Sequence, residues 1–578
     1  MHVVATGAAD RNVTAMATGR FDRAAALERL ANEQFDVLVI GGGITGAGVA
    51  LDAASRGLRT ALVERDDFAS GTSSKSSKMV HGGLRYLQNG DVRLVYEALA
   101  ERQRLRKNAP HLVKILPFLI PIFSRDGLIN PKVARALGSA MWMYDVTGGA
   151  RIGKLHKRLR PHQALEYMPT LPEERLAGAY LYYDARADDA RLTLTVARTA
   201  ALDFDAVIAN GCRVVELRKD GAGAVEGARV DGDEGVFDIR ARAVVNATGV
   251  WADDVRALDE GRHPDSIRPA KGIHITVPWS KVQNTIAVVA PVPKDKRSVF
   301  VVPWADHAGV PQFTYIGTTD TDYEGSLDDP QCEREDVEYL LRAINGAVTT
   351  KLDERDVLGT WAGLRPLVKS ASSGRTADLS RRHRVARSAS GLVTITGGKL
   401  TTYREMAADT VDEIVDGLDT TRGISRRTRT RHLHLRGADG YESLRRTGVA
   451  STNPAFDHLL ERYGDEAPAV LALTDERPDL AAALVPGLPY LRAEAVYAAR
   501  HEMARSVDDV LSRRTRARLL ARDASAAAAP DVAALLAAEL GWDDAEQAAQ
   551  VAHYRAAVDH ERAEPSLPET ALEAALGS

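Results

Sequence analysis

Residues 35–64 read FDVLVIGGGITGAGVALDAASRGLRTALVE, and three patterns follow one another there. Residues 35–40 are a short β-branched run that reads as a strand. Gly41, Gly43 and Gly46 fill a G-x-G-x-x-G turn, and residues 44–56 have the spacing of a helix stopped by Gly57. Residues 60–64 read as a second strand. Strand, glycine turn, helix and strand in so short a span are a βαβ unit, which requires a parallel sheet. In such a turn the first glycine permits the tight bend, the second lets backbone approach a pyrophosphate, and the third lets helix pack closely on strand. The helix start supplies the anion site. Glu64, 23 residues after Gly41, stands where a carboxylate accepts hydrogen bonds from ribose hydroxyls. The βαβ context and this carboxylate together make a dinucleotide site the reading.

Two later strands also run into glycine, residues 243–247 ahead of Thr248-Gly249 and residues 392–396 ahead of Gly397-Gly398. The expected fold class is therefore α/β: a Rossmann-like dinucleotide domain assembled from separated parts of the chain, with an inserted α+β substrate domain and an all-helical C-terminal domain. The expected boundaries are 1–35 for an N-terminal tail, 36–110, 186–265 and 356–425 for the dinucleotide domain, 111–185 and 266–355 for the substrate or cap domain, and 430–578 for the helical domain. In that last part Val507, Val510 and Leu511 recur at helical spacing. Residues 524–530, alanines broken by Ser525 and closed by Pro530, read as a linker between helices, and His432 and His434 alternate as on a strand.

The composition narrows the function classes. With 578 residues, 45% of them hydrophobic and 27% charged, the chain is an ordinary globular one that can bury a sizeable core. Lys and Arg number 75 against 79 Asp and Glu, a net charge of −4, so nothing global draws it to nucleic acid. Two cysteines, Cys212 and Cys332, make no disulfide framework and suit a reducing, cytoplasmic compartment. Residues 1–20 lack the basic start and apolar run of a signal peptide. The longest apolar stretch, residues 115–123, contains Pro117 and Pro121 and falls short of the roughly 20 residues that span a bilayer. Any membrane contact is then peripheral.

After Glu64 come the hydroxyl-rich segments Thr72-Ser73-Ser74 and Ser76-Ser77-Lys78, then His81-Gly82-Gly83-Leu84-Arg85-Tyr86. Further along stand Asn246-Ala247-Thr248-Gly249, Gly317-Thr318-Thr319-Asp320, Gly363-Leu364-Arg365-Pro366-Leu367 and Gly397-Gly398-Lys399-Leu400-Thr401-Thr402-Tyr403. In this order, and with Glu502-Met503-Ala504 and Asp508-Asp509-Val510-Leu511 in the helical tail, they resemble the FAD-dependent glycerol-3-phosphate dehydrogenases of the aerobic, membrane-associated type, over about residues 36 to 550. The resemblance implies FAD as cofactor, sn-glycerol 3-phosphate as substrate, dihydroxyacetone phosphate as product and a quinone as electron acceptor. It implies a cytoplasmic protein attached peripherally to the inner face of the membrane. A homodimer is carried as a further partner expectation, and nucleic acid and metal are not expected.

The residues themselves suggest roles. A phosphate dianion needs fixed positive charge, which a guanidinium supplies best; Arg85 and Arg365 sit in glycine-containing segments and match substrate-site arginines of the family, with Tyr86 beside the first. Oxidation at C2 needs an acceptor for the hydroxyl proton, for which His81 and His274 are candidates, while the Lys399 ammonium favours developing negative charge. The base stays open among these histidines, an arginine and a water. Cofactor contacts are expected from Gly41, Gly43, Gly46, Glu64, Thr72, Ser73, Ser74, Ser77, Gly249, Gly398, Lys399, Leu400 and Thr401. The same motifs would serve an oxidase that returns electrons to dioxygen, and an FAD-dependent amine or amino-acid oxidoreductase would use an arginine for a carboxylate.

Other patterns lead away from metal and nucleic acid. His501-Glu502-Met503-Ala504-Arg505 begins like a zinc-protease motif, but Arg505 stands where the second histidine must be. Arg381-Arg382-His383-Arg384 and the group Arg426, Arg427, Arg429 and Arg431 lack interleaved aromatics and read as solvated or subunit-facing charge. Arg151, Lys154, Lys157, Arg158 and Arg160 follow the apolar 141–144 stretch, and such a basic and aromatic segment suits anionic headgroups.

Overall fold

The computed structural model describes residues 21–83, 92–124, 138, 141–145, 152–292, 297–305, 311–317, 321–369, 383–418, 424–447 and 453–577. Among them the strand Gln34–Ile40 lies at the centre of an eight-stranded sheet, parallel to Gly235–Asn246 on one side and to Thr60–Val63 on the other. Val207–Ala209 extends the sheet beyond Thr60–Val63 and Val393–Thr396 extends it beyond Gly235–Asn246, both in parallel. Six of the seven residues of the central strand are buried, as continuous apolar strands between two helical layers must be. The helix Ile44–Ser55, almost wholly buried, packs between the helices Asp189–Phe204 and Tyr403–Gly417. Gly48 permits that approach: a Cβ there would stand 2.7 Å from the Tyr403 ring.

A second sheet of ten strands, mostly antiparallel, lies beside the first. Its long members are Lys114–Phe123, Leu176–Arg186, Ile267–Pro278 and Gly359–Val368. The apolar 115–123 stretch, with both its prolines, is thus a strand paired along its length with Leu176–Arg186. Two segments expected in the dinucleotide domain belong to this second sheet instead. Met79–Val80 pairs with Leu176–Arg186, and Gly359–Val368 pairs over ten residues with Ile267–Pro278. The reason is register: backbone donors alternate along the full length of Ile267–Pro278, and Gly359–Val368 satisfies one edge of them.

Three further expectations are corrected. Residues 23–32 of the expected tail form a helix, Arg23–Asn32, capped by Asp22, which accepts from the Ala25 amide at 3.2 Å. Its Ala26 and Leu30, one turn apart, are buried against the sheet. The alanine-rich 524–530 stretch is no linker but lies inside the helix Arg522–Leu540, with Pro530 in its interior. Alanine is the strongest helix former, and the buried Ser525 hydroxyl meets the Tyr554 hydroxyl of the neighbouring helix at 2.7 Å. His432 and His434 are not on a strand: the first ends a 3₁₀ turn, Thr430–His432, and the second pairs with Asp439. Residues 1–20, Arg151, Arg381 and Arg382 lie outside the described residues.

The helical C-terminal part has its own apolar core and docks on the dinucleotide sheet through buried charge. Asp67, just beyond the strand Thr60–Val63, is 3% exposed. It accepts from Arg513 Nε at 2.6 Å, from Arg514 Nη1 and Nη2 at 2.7 and 2.8 Å, and from Asn210 Nδ2 at 3.1 Å. Burial alone would raise its pKa, but Arg514 and Arg513 outweigh that and hold it down at about 2. Removing one partner of such a cluster leaves the others charged and dry. Asp67→Ala is therefore expected to destabilise the holoenzyme by about 3 kcal/mol or more, read as a fall in the thermal unfolding midpoint; an unchanged midpoint refutes the docking role.

Candidate functional site

Parallel strands deliver their following loops to one edge of a sheet, and here three glycine turns meet there. They enclose a cavity of about 330 Å³ lined by Gly41 and Gly43, by Thr248 and Gly249, and by Gly397 and Gly398, with Glu64 along one wall. Gly41 and Gly46 explain the tightness of the first turn. Gly41 has φ +109°, a conformation that favours glycine. A Cβ on Gly46 would lie 1.9 Å from the Gly41 carbonyl oxygen. Gly43 offers the helix Ile44–Ser55 no side-chain cap, leaving that helix terminus available to an anion, and the Ile44 amide donates to Ser73 Oγ at 2.9 Å.

The Glu64 carboxylate accepts from the Gly42 amide at 2.5 Å and the Asp66 amide at 2.9 Å. Desolvation outweighs these two hydrogen bonds and pushes its pKa up to about 7. The carboxyl thus braces the glycine turn as well as lining the cavity. Cys212, Arg213, Trp251 and Leu258 complete that part of the wall. They sit in no glycine motif, so nothing local in the sequence marked them.

Thr72, Ser73, Lys399 and Leu400 also line the cavity. Ser74, Ser77 and Thr401 are not among the residues that line it. Thr401 Oγ1 accepts from the His81 amide at 3.1 Å, which brings His81 beside Lys399 and Leu400. Thr72 Oγ1 donates to the Leu364 carbonyl at 2.5 Å, which brings in the strand carrying Arg365; Pro366, the next residue, is on the cavity wall. His274 is placed differently, 2% exposed, stacked on Trp361 at 4.6 Å and 7°, with Nε2 2.9 Å from Ser77 Oγ. Its pKa is driven well below the usual value by burial, then by Lys78 and Arg365. Arg85, Tyr86 and residues 318–320 lie outside the described residues.

This lining suits FAD: an open helix start for the pyrophosphate, a carboxyl at the end of the second strand for the ribose, and glycine backbone on three sides. The comparisons agree. A family model described as FAD dependent oxidoreductase matches residues 36–404, and one described as the C-terminal domain of alpha-glycerophosphate oxidase matches residues 428–547. A glycerol-3-phosphate dehydrogenase of Mycobacterium leprae is 43% identical over 557 residues, covering 95% of this chain and 92% of that protein. The chain belongs to the FAD-dependent glycerol-3-phosphate dehydrogenase family. Its cofactor is FAD.

Within the family, the human mitochondrial glycerol-3-phosphate dehydrogenase is 39% identical over 539 residues, 88% of this chain and 71% of that one. The solved structure of the glycerol-3-phosphate dehydrogenase from Bacillus halodurans complexed with FAD is similar at a TM-score of 0.73 and 31% identity, covering 93% of this chain and 97% of that one. The all-helical C-terminal domain and the α/β body are shared with the family.

Two outcomes test this site. Gly46→Ala, whose methyl would clash with the Gly41 backbone, is expected to give protein without visible flavin absorbance; a flavin-replete variant refutes the close-packed turn. Glu64 titrates higher in the fold than in the unfolded chain, so the FAD-free fold binds the extra proton between its ordinary 4.5 and about 7. Stability of the FAD-free protein should therefore fall as pH rises through that window, and Glu64→Gln should flatten the profile in urea denaturation.

Proposed function

We propose that this chain oxidises sn-glycerol 3-phosphate to dihydroxyacetone phosphate, with a quinone as the final electron acceptor. The substrate loses a hydride from C2 and a proton from its C2 hydroxyl. FAD, when bound, supplies the two-electron acceptor. The observation that carries the reading is that Lys399, Leu400 and Pro366 line one cavity, with Arg365 next to Pro366 in the chain and the His81 amide hydrogen-bonded to Thr401 Oγ1. In this reading Arg365, with Arg85, holds the phosphate. His81 takes the hydroxyl proton, and the Lys399 ammonium favours the negative charge that develops on the reacting oxygen. The names of the relatives support the substrate.

A quinone acceptor implies contact with a membrane. No helix among the described residues is long and apolar enough to cross one. Peripheral contact is supported by an exposed set around the strand Lys157–Leu159: Trp142 at 58% exposure, Met143 and Leu155, with Lys154, Lys157 and Arg158 beside them. Apolar side chains among lysines and arginines suit an anionic lipid surface.

The test is anaerobic flavin absorbance. Bleaching by sn-glycerol 3-phosphate, fast recovery with a quinone analogue and slow recovery in air are expected. Rapid recovery in air with peroxide would assign an oxidase instead, and bleaching only by an amine or amino acid would overturn the substrate. Arg365→Ala should retain FAD while losing about 100-fold or more in kcat/KM, the scale of losing a charge-assisted bidentate contact; unchanged kinetics would refute its phosphate role.

A further inference from the structure

The segment between Ser73 and Lys78 begins at the cavity lining and ends against His274. Ser73 meets the helix start that faces the cavity, and Ser77 holds Nε2 of His274. Its backbone is not relaxed: Lys78, 2% exposed, has φ +55°, a left-handed conformation that a long side chain adopts only when its surroundings impose it. The surroundings that impose it come from three separate parts of the chain.

Asp189, fully buried at the start of the helix Asp189–Phe204, accepts from the Ser76 amide at 2.9 Å and the Ser76 hydroxyl at 2.7 Å. It also pairs with Lys78 Nζ at 3.2 Å and Arg516 Nη2 at 3.1 Å. Arg516, from the helical C-terminal domain and 0% exposed, donates to the Ser74 carbonyl at 2.5 Å. Lys78 Nζ donates to the same carbonyl at 3.1 Å and stands 4.8 Å from the centre of the Trp361 ring on which His274 stacks. From the second sheet, Trp361 Nε1 donates to the Ser76 carbonyl at 3.2 Å and the Tyr315 hydroxyl to the Ser77 carbonyl at 3.1 Å.

We infer that Arg516 is a positioning residue: the C-terminal domain reaches into the flavin site through it and, with Asp189, holds the 74–78 segment so that Ser77 fixes the ring of His274. His274, which is not among the cavity-lining residues, is correspondingly held in one orientation by this segment. Its Nδ1 is buried without a hydrogen-bond partner in the described residues, so the Ser77 hydroxyl alone orients the imidazole by hydrogen bonding. Burial and then Arg516 lower the Lys78 pKa to about 8, against the pull of Asp189 and Asp188. The inference rests on the substrate reading above only for its kinetic readout.

The test is a double-mutant cycle on the holoenzyme, Arg516→Ala and Ser77→Ala singly and together. The readout is the rate of anaerobic flavin reduction by saturating sn-glycerol 3-phosphate. Each single variant should slow reduction about 10- to 100-fold, the scale set by small misplacements, while FAD content stays near wild type and apparent substrate affinity changes by no more than about threefold. The double variant should be little slower than Ser77→Ala, because Arg516 acts through Ser77, and Arg516→Lys should recover part of the rate. Losses that multiply, or an Arg516→Ala enzyme of unchanged rate, overturn the inference. Should Arg516→Ala fail to fold, Asp189→Asn takes its place in the same cycle with the same expectations. Should wild-type flavin not be bleached by this substrate, the functional reading fails by itself. The positioning role is then read from the ¹⁵N imidazole resonances of His274 in the FAD-bound protein, assigned with His274→Gln. Arg516→Ala should move them as Ser77→Ala does, and unmoved resonances overturn it.

Discussion

Parallel strands end on the same side of their sheet, and the rest of this molecule is arranged around that constraint. Gln34–Ile40, Gly235–Asn246 and Val393–Thr396 run side by side in one direction. The turns that follow them, all glycine-bearing, are therefore delivered to one edge from chain positions hundreds of residues apart. At that edge backbone amides and a helix start are left without strand partners. A ligand with a pyrophosphate satisfies such groups better than side chains that would fill the space. The 1.9 Å between a hypothetical Gly46 Cβ and the Gly41 carbonyl shows how little room the turn allows for anything else.

The loops beyond that edge are held in turn by parts of the chain that are not in the sheet. The second sheet reaches the 72–78 segment with His274, Tyr315 and Trp361, whose rings pack on one another. The helical domain reaches the same part of the chain with arginines, Arg513 and Arg514 on Asp67 and Arg516 on Asp189. Burying so many charges is favourable only when each finds an opposite charge at close range, because desolvation of an unpaired ion outweighs most other terms. Such pairing demands accurate placement of both domains, so the docking that stabilises the fold also determines where the 72–78 segment lies.

Much of this was legible in the sequence. The βαβ unit at residues 35–64 was readable because its signals are local: a β-branched run, glycines at fixed spacing, a helix and a carboxyl. The cavity-lining residues Gly41, Gly43, Glu64, Thr72, Ser73, Gly249, Gly398, Lys399 and Leu400 all belong to short motifs. Where the structure departs from the local pattern, the reasons are also physical. Residues 524–530 looked like a break because proline lacks an amide, yet a helix rich in alanine and packed on a neighbour tolerates that loss. The helix Arg23–Asn32 carries a short local signal, Ala26 and Leu30 one turn apart, and it is the sheet they pack on that makes it part of the fold.

What the sequence by itself determined is the dinucleotide-binding edge, since backbone conformation at glycine and the alternation of strand and helix depend on neighbours a few residues away. What only tertiary structure decided is which distant side chains share that edge. Gly359–Val368 joined the second sheet rather than the first because hydrogen-bond register, not composition, selects strand partners. His274 lies against Ser77 and not on the cavity lining because Trp361 and Gly317 leave it a flat slot there. Arg516 came to the Ser74 carbonyl from the far end of the chain because a buried guanidinium must find its acceptors in space, at whatever sequence distance they lie.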